Sequence, residues 1–308
     1  MKHNIFYYLC NIEKTFQTIR LKISDKYLIE EQWKEKRGYS LDWHNLKTLS
    51  EKMQWLKLHD HKPLYTTLVD KVEVKKWFEK KFGSQALIPT YGVYKNADEI
   101  DFSILPNSFV LKCNHDSGTV FICYDKQSGV IYDKHMEPID FDSVKLQLNE
   151  ALKRNFYYRF REWAYKNVKP RIICEKLIQC KDGTIPNDYK LFFINGEFQF
   201  VYVAYGRESI NDRCMFDKDW NRMPFIWCET YVYHKGINTA KVEKPQSFEE
   251  MMVCGAEIAK DFKCVRVDFY DVDGKMYFGE ITPFHCGGFA QFYPEEYDLE
   301  YGKKLKLD

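Results

Sequence analysis

The run RVDFYDVDGKMYFGEIT, Arg266 to Thr282, constrains the fold most, because two β-rich halves meet at an Asp-Gly pair. Asp-Gly between such halves signals a tight hairpin, since both residues tolerate the positive φ that a short reversal needs. The loop length then decides the chemistry. Side chains alternate between faces, so a one-residue slip sends one partner to the other side of the sheet. A two-residue loop would set Val267 opposite Glu280 and part Asp268 from Glu280. A three-residue loop of Val272, Asp273 and Gly274, with Gly274 left-handed, pairs Arg266 with Glu280 and Asp268 with Phe278. Both acids then share a face with Arg266 and Thr282, and this is the expectation. Adjacent carboxylates repel unless a cation lies between them, and oxygen-only ligands suit Mg²⁺ bridging phosphates. The alternative is a pair of solvated acids on an exposed face. Asp271 and Asp273 also spell the DxD of sugar-nucleotide glycosyltransferases, but an Asp-Gly turn explains both without chemistry.

The hairpin belongs to a mixed chain. From Pro89 onward short β-rich runs recur, among them FVLKC (109–113), RIICEKLI (171–178), YKLFFI (189–194) and FQFVYVAY (198–205). Helical stretches intervene at 142–155 and 248–260, without strict alternation of strand and helix, which makes the expected class α+β. Residues 1–65 differ, carrying helical periodicity and few strand signals. Ile5, Leu9, Ile12, Phe16, Ile19 and Ile23 form one stripe of an amphipathic helix. The protein's own body is its expected cover, and a membrane surface or partner helix the alternative, helped by Lys14, Arg20 and Lys22. Thr48 or Ser50 caps a second helix carrying Leu49, Met53 and Leu56.

Charge and cysteine usage exclude several classes. Lys and Arg number 46 against 45 Asp and Glu, so no global field draws in nucleic acid. The 10 cysteines are scattered, without a CxxC pair or a leading signal peptide, as expected of reduced cytosolic thiols. No apolar stretch approaches the ~20 residues that span a bilayer. A soluble cytoplasmic protein is expected.

Two further segments could meet a nucleotide. Lys112 ends an apolar strand and leads into Asn114, His115, Asp116, Ser117, Gly118 and Thr119, which can set an ammonium and backbone N–H groups around phosphate oxygens. Walker A spacing is absent, and a surface loop is the alternative. Glu175 and Lys176 follow the apolar RIIC, and Asp188 and Lys190 open the next strand. A hinge there could read an adenine edge with an acid for the ribose; otherwise it is a loop with charges.

In order along the chain, SEKMQWLKLHDHKP (50–63), DKVEVKKWFEKKFG (70–83), LIPTYGVYKNADEIDF (87–102), LPNSFVLKCNHDSG (105–118), PRIICEKLI (170–178), NDYKLFFINGEFQFV (187–201), VRVDFYDVDGKMYFGEITP (265–283) and GGFAQFYPEEYDLEYG (287–302) resemble the ATP-grasp superfamily. The resemblance is closest to its TupA-like branch, associated with teichuronopeptide and other cell-surface polysaccharide synthesis. It implies an ATP-grasp fold at 66–308, after the helical segment 1–65: a smaller lobe about 85–174, a hinge at 175–178, and a larger lobe of 179–308 plus part of 66–84. It implies ATP and Mg²⁺ as cofactors. Lys71 and Lys112, with Ser117 and Gly118, match the phosphate grip; Glu175, Lys176, Leu177 and Ile178 the adenine hinge; Asp188 the ribose acid. Lys190, Arg207 and Arg266 fall at catalytic positions, and Asp268 and Glu280 at the metal acids, with Thr282 where the family pattern has Asn.

The implied reaction is ATP-dependent joining of a carboxylate to an amine through an acyl phosphate. The expected pair is a uronic acid of a glycan or its precursor with an amino acid or small amine. Arg266 could steer the carboxylate or ion-pair with Glu280. His115 and His285 are candidate proton acceptors, local satisfaction being the commoner role of a lone histidine. A sugar kinase, a catalytically silent glycan- or nucleotide-binding subunit and a glycosyltransferase are the rival readings.

Overall fold

The computed structural model describes residues 23–206, 212–228 and 241–307. The apolar stripe expected to begin at Ile5 falls, except for Ile23, outside the described residues. The described helices are α1 (Asp25–Arg37), α2 (Leu49–His59), α3 (Pro63–Val69), α4 (Glu73–Phe82), α5 (Phe141–Leu152), α6 (Tyr157–Phe160), α7 (Phe248–Ala259) and α8 (Glu296–Lys304). None is long and apolar enough to cross a membrane. The chain divides into two compact units. Among the described residues, one comprises 23–40, 61–72 and 89–177; the other comprises 41–60, 73–88 and the described residues from 178 onward.

The first unit is built on β1 (Thr90–Tyr94), β2 (Phe109–Cys113), β3 (Val120–Cys123), β4 (Ile131–Asp133), β5 (Pro138–Ile139) and β6 (Ile172–Glu175). They form one antiparallel sheet in the order β1-β6-β2-β3-β4-β5. Alternation sends Phe109, Leu111 and Cys113 of β2 to one face, where they meet Val144, Leu148 and Ala151 of α5. Those helix positions are spaced four and three apart, one stripe of a helix that Asp140 caps by accepting from the Ser143 N–H. Each such buried Val or Leu contributes about 1.5–3 kcal/mol.

The second unit carries β7 (Asp188–Ile194), β8 (Glu197–Tyr205), β9 (Asp212–Phe216), β10 (Ile226–Cys228), β11 (Cys264–Val272), β12 (Lys275–Thr282) and β13 (Gln291–Tyr293). Five of them form an antiparallel sheet in the order β12-β11-β7-β8-β9, while β10 pairs with β13. On one face α7 brings up Phe248, Met251, Cys254 and Ile258, and Gly255 lets it approach so closely that a Cβ would lie 2.7 Å from the Phe193 ring. On the other face β7 changes character along its length. Phe192 and Ile194 join a core with Leu49, Met53 and Leu56 of α2 and Tyr301 of α8, while Asp188 and Lys190 continue the same face as charges. α2 starts on a capping box, Thr48 with Glu51.

The hairpin of β11 and β12 does not have the expected loop. Val272 pairs with Lys275, so the turn is the two residues Asp273 and Gly274, at φ 53° and 88°. Two positive φ values mark the turn whose twist suits a hairpin, and Asp-Gly is its preferred sequence. That register alone would part the acids. A bulge restores them: Phe269 faces Phe278, but Asp268 faces Glu280 and Arg266 faces Thr282, leaving Gly279 as the extra residue. A Cβ at Gly279 would lie 2.9 Å from the Asp268 carbonyl oxygen, so the bulge requires glycine.

Candidate active site

Along β7, β11 and β12 the bulge gathers Asp188, Lys190, Arg266, Asp268, Glu280 and Thr282. Arg266 is the hub. Its Nε donates to Asp268 Oδ1 at 2.6 Å, and its Nη2 donates to Asp268 Oδ2 at 2.8 Å, Glu280 Oε1 at 2.9 Å and Thr282 Oγ1 at 3.1 Å. Thr282 Oγ1 lies 3.3 Å from Glu280 Oε1. Lys190 Nζ donates at 2.5 Å to both Asp188 Oδ2 and Asp268 Oδ2. Arg266 is therefore ion-paired with Glu280 and more tightly with Asp268.

Burial is deep, with Asp268 1% exposed and Arg266 8%. It opposes charge on Lys190 and Arg266, yet Asp188 and Asp268 outweigh it for the lysine and Asp268 and Glu280 for the arginine, so both pKa values rise. Burial likewise pushes the Asp268 carboxyl up, with Arg266 and Lys190 pulling it down. Two cations in direct hydrogen-bond contact favour its ionised form.

The donor set fits Mg²⁺ held together with phosphates. One guanidinium nitrogen sits within 2.9 Å of both Asp268 and Glu280, so the two carboxylates can share one positive charge, and the ligands they and Thr282 offer are hard oxygens. Among the described residues no group of three His, Cys, Asp or Glu forms a ready metal cage. Mg²⁺ does not need one, because it uses one or two carboxylates plus phosphates and water.

In the first unit, Lys112 Nζ lies 2.9 Å from Glu175 Oε2, and Lys71 Nζ donates to the Asp116 carbonyl at 2.7 Å. Lys71 is placed by a buried network that sequence reasoning missed. Asp70 accepts from Asn114 Nδ2 and Arg171 Nη2, both at 2.8 Å, and the Lys71 N–H donates to the Asn114 carbonyl at 3.2 Å. Ser117 is exposed, and Gly118 turns the chain at φ 102°. Thr119 and Arg154 both hold the Asp116 carboxylate. After Glu175 the Lys176 N–H donates to the Pro89 carbonyl at 2.9 Å, Leu177 is buried, and Ile178 is half-buried. Arg207 lies outside the described residues.

Four side chains read as candidates have other work. His285 Nδ1 accepts from Arg266 Nη1 at 2.5 Å, which engages its lone pair, and burial followed by Arg266 and Lys190 drives its pKa well below the ordinary value. His115 Nε2 lies 3.2 Å from the Ala151 carbonyl, and burial above all lowers its pKa. Of the DxD pair, Asp271 accepts from the Ser247 N–H and hydroxyl and the Gly274 N–H, and Asp273 from the Lys181 N–H. Both aspartates brace the turn.

Several solved structures resemble this fold. The D-alanine–D-alanine ligase of Bacillus anthracis complexed with ATP is 15% identical with a TM-score of 0.41, over 70% of this chain and 55% of that one. The ADP complex of N5-carboxyaminoimidazole ribonucleotide synthetase is 14% identical with a TM-score of 0.41, over 77% and 51%. A RiPP-associated ATP-grasp ligase of Chryseobacterium gregarium, with ADP and a leader and core peptide, is 14% identical with a TM-score of 0.37, over 77% and 60%. The chain thus spans between about half and three fifths of these proteins. No curated protein sequence matches it. The family model described as TupA-like ATP-grasp matches residues 51–306, and the chain belongs to that family.

Proposed function

We propose that the protein is a carboxylate–amine ligase that binds Mg-ATP and forms an amide through an acyl phosphate. The observation that carries this reading is the opposed pair Asp268 and Glu280, bridged by one nitrogen of Arg266. Asp268, Glu280 and Thr282 would hold Mg²⁺, which when bound neutralises charge on the phosphate oxygens. Lys71, Lys112, Ser117 and Gly118 grip the phosphates, Glu175 to Ile178 face the adenine, and Asp188 takes the ribose. Such transfer depends on placement and charge more than on covalent help from the protein. A substrate carboxylate oxygen bonds the γ-phosphorus as the bond to ADP breaks. The amine then bonds the acyl carbon, phosphate leaves, and the amine proton passes to solvent or phosphate. Arg266 and Lys190 meet the carboxylate and the moving phosphoryl group, and the resemblance assigns Arg207 to the γ-phosphate.

The family resemblance points to a uronic acid of a surface glycan or its precursor as the carboxylate, and an amino acid or small amine as its partner. A cytoplasmic setting supplies the ATP. Screening ADP release against uronic acids and amines in pairs tests this. A carboxylate that supports hydroxamate formation with hydroxylamine establishes the acyl phosphate. ADP release driven by neutral sugars without hydroxamate would make the protein a kinase, and ATP binding that no acceptor converts to turnover would make it a binding subunit.

A further inference from the structure

The bond from Arg266 Nη1 to His285 Nδ1, 2.5 Å long, lies apart from the carboxylates that engage the rest of the guanidinium. Arginine can only donate, so Nδ1 is the acceptor and the imidazole carries its proton on Nε2. The ring is 5% exposed, with the centroids of Trp227 and Tyr202 at 4.2 Å and 5.7 Å. His285 stands on a turn in which Cys286, Gly287 and Gly288 all have positive φ. α2 grips that turn: Gln54 Nε2 donates to the Gly288 carbonyl at 2.8 Å and Lys57 Nζ to the Gly287 carbonyl at 2.9 Å. Lys57 is itself 1% exposed, and a Cβ at Gly288 would lie 2.6 Å from Gln54 Nε2. Buried side chains of a distant helix thus fix the place of one acceptor atom.

We propose that His285 is a positioning residue that keeps the Arg266 guanidinium in the site when Asp268 and Glu280 exchange it for a cation. The proposal rests on the ligase reading above. Nε and Nη2 of Arg266 hold the acids, and a cation held by Asp268 and Glu280 would compete with the guanidinium for their oxygens. A guanidinium with no other anchor stays on the acids and competes with the ion. Anchored through Nη1, it can release them and remain facing the substrate carboxylate. An asparagine at 285, whose Oδ1 can take the place of Nδ1, preserves this function; a leucine of similar bulk does not.

The test is ATP binding titrated with Mg²⁺ in the wild type, His285→Asn and His285→Leu, with Asp268→Asn as control. Loss of a hydrogen bond to a charged group predicts that His285→Leu raises the Mg²⁺ concentration for half-maximal tightening about tenfold or more. His285→Asn should stay within about threefold, by the same reasoning. In the ligand-free protein, ¹⁵N spectra of histidine should show His285 as a fixed Nε2–H tautomer, and Arg266→Ala should release that preference. Equal effects of Asn and Leu, no effect of either, or an Nδ1–H tautomer would overturn the proposal. If Asp268→Asn leaves the Mg²⁺ dependence unchanged, the ligase reading itself fails, while the tautomer measurement still decides the His285–Arg266 bond.

Discussion

One guanidinium nitrogen of Arg266 contacts both Asp268 and Glu280, and if these acids hold Mg²⁺ as proposed, single substitutions there should separate function from folding. Asp268→Asn and Glu280→Gln are each expected to abolish Mg-ATP turnover, measured as ADP release. Wild-type turnover in either variant would remove the metal assignment. Lys112, paired with Glu175, should matter differently. Lys112→Ala is expected to weaken ATP binding by about 1.5–3 kcal/mol in calorimetry, and an unchanged affinity would leave its loop a mere surface feature. The two buried histidines give a pH dependence. His115 and His285 have folded-state pKa values below the ordinary 6.5, so below that pH the unfolded chain takes up protons that the folded one refuses. Their contribution to stability is whole above about pH 7 and is lost as pH falls toward the lower folded values. Urea unfolding should show this loss, with a shallower slope in His285→Asn; the same slope in both proteins would contradict it. At this scale the sequence showed which residues carry charge but not their partners. Arg266 could equally steer a substrate or pair with Glu280 until the fold placed His285 and Asp268 beside it.

The hairpin shows why elements are legible in part. Its strands follow from β-rich runs around Asp-Gly, and the shared face of Asp268 and Glu280 was expected, but the expected route to it was wrong. Asp273 and Gly274 make the two-residue turn that their dipeptide favours, and the face is recovered six positions from the turn's start by Gly279. A glycine inside a strand is the available signal of a bulge, and between Phe278 and Glu280 it could have been weighed. Gly279→Ala is therefore a test of an element. Its Cβ meets backbone rather than a flexible side chain, so the bulge must shift, at a cost of about 1–3 kcal/mol. Weaker Mg²⁺-dependent ATP binding is expected along with lower stability. Stability lost with Mg²⁺ dependence intact would show that the bulge does not set the acids. α2 was equally readable as a helix from its cap and its Leu49, Met53 and Leu56 stripe, whereas its hold on the turn at 286–288 was not. Contacts across more than two hundred residues leave no local pattern.

Across the whole molecule the chain leaves and re-enters each compact unit several times, with 41–60 and 73–88 belonging to the second although their neighbours in sequence belong to the first. Helical periodicity marks residues 1–65 as one kind of structure but cannot say which core each helix joins, since burial is decided by partners elsewhere in the chain. The α+β class and the ATP-grasp family were legible because ordered segments along most of the chain carry them. The acceptor was not, because no single motif names it. The account stands or falls on whether a carboxylate receives the γ-phosphoryl group. The direct measurement is ADP release by the wild-type protein with Mg-ATP, a panel of uronic acids and hydroxylamine. The account predicts that one carboxylate class yields ADP and hydroxamate in equal amounts, and that Asp268→Asn yields neither. ADP formed in step with a phosphorylated sugar, and no hydroxamate with any carboxylate, would contradict it.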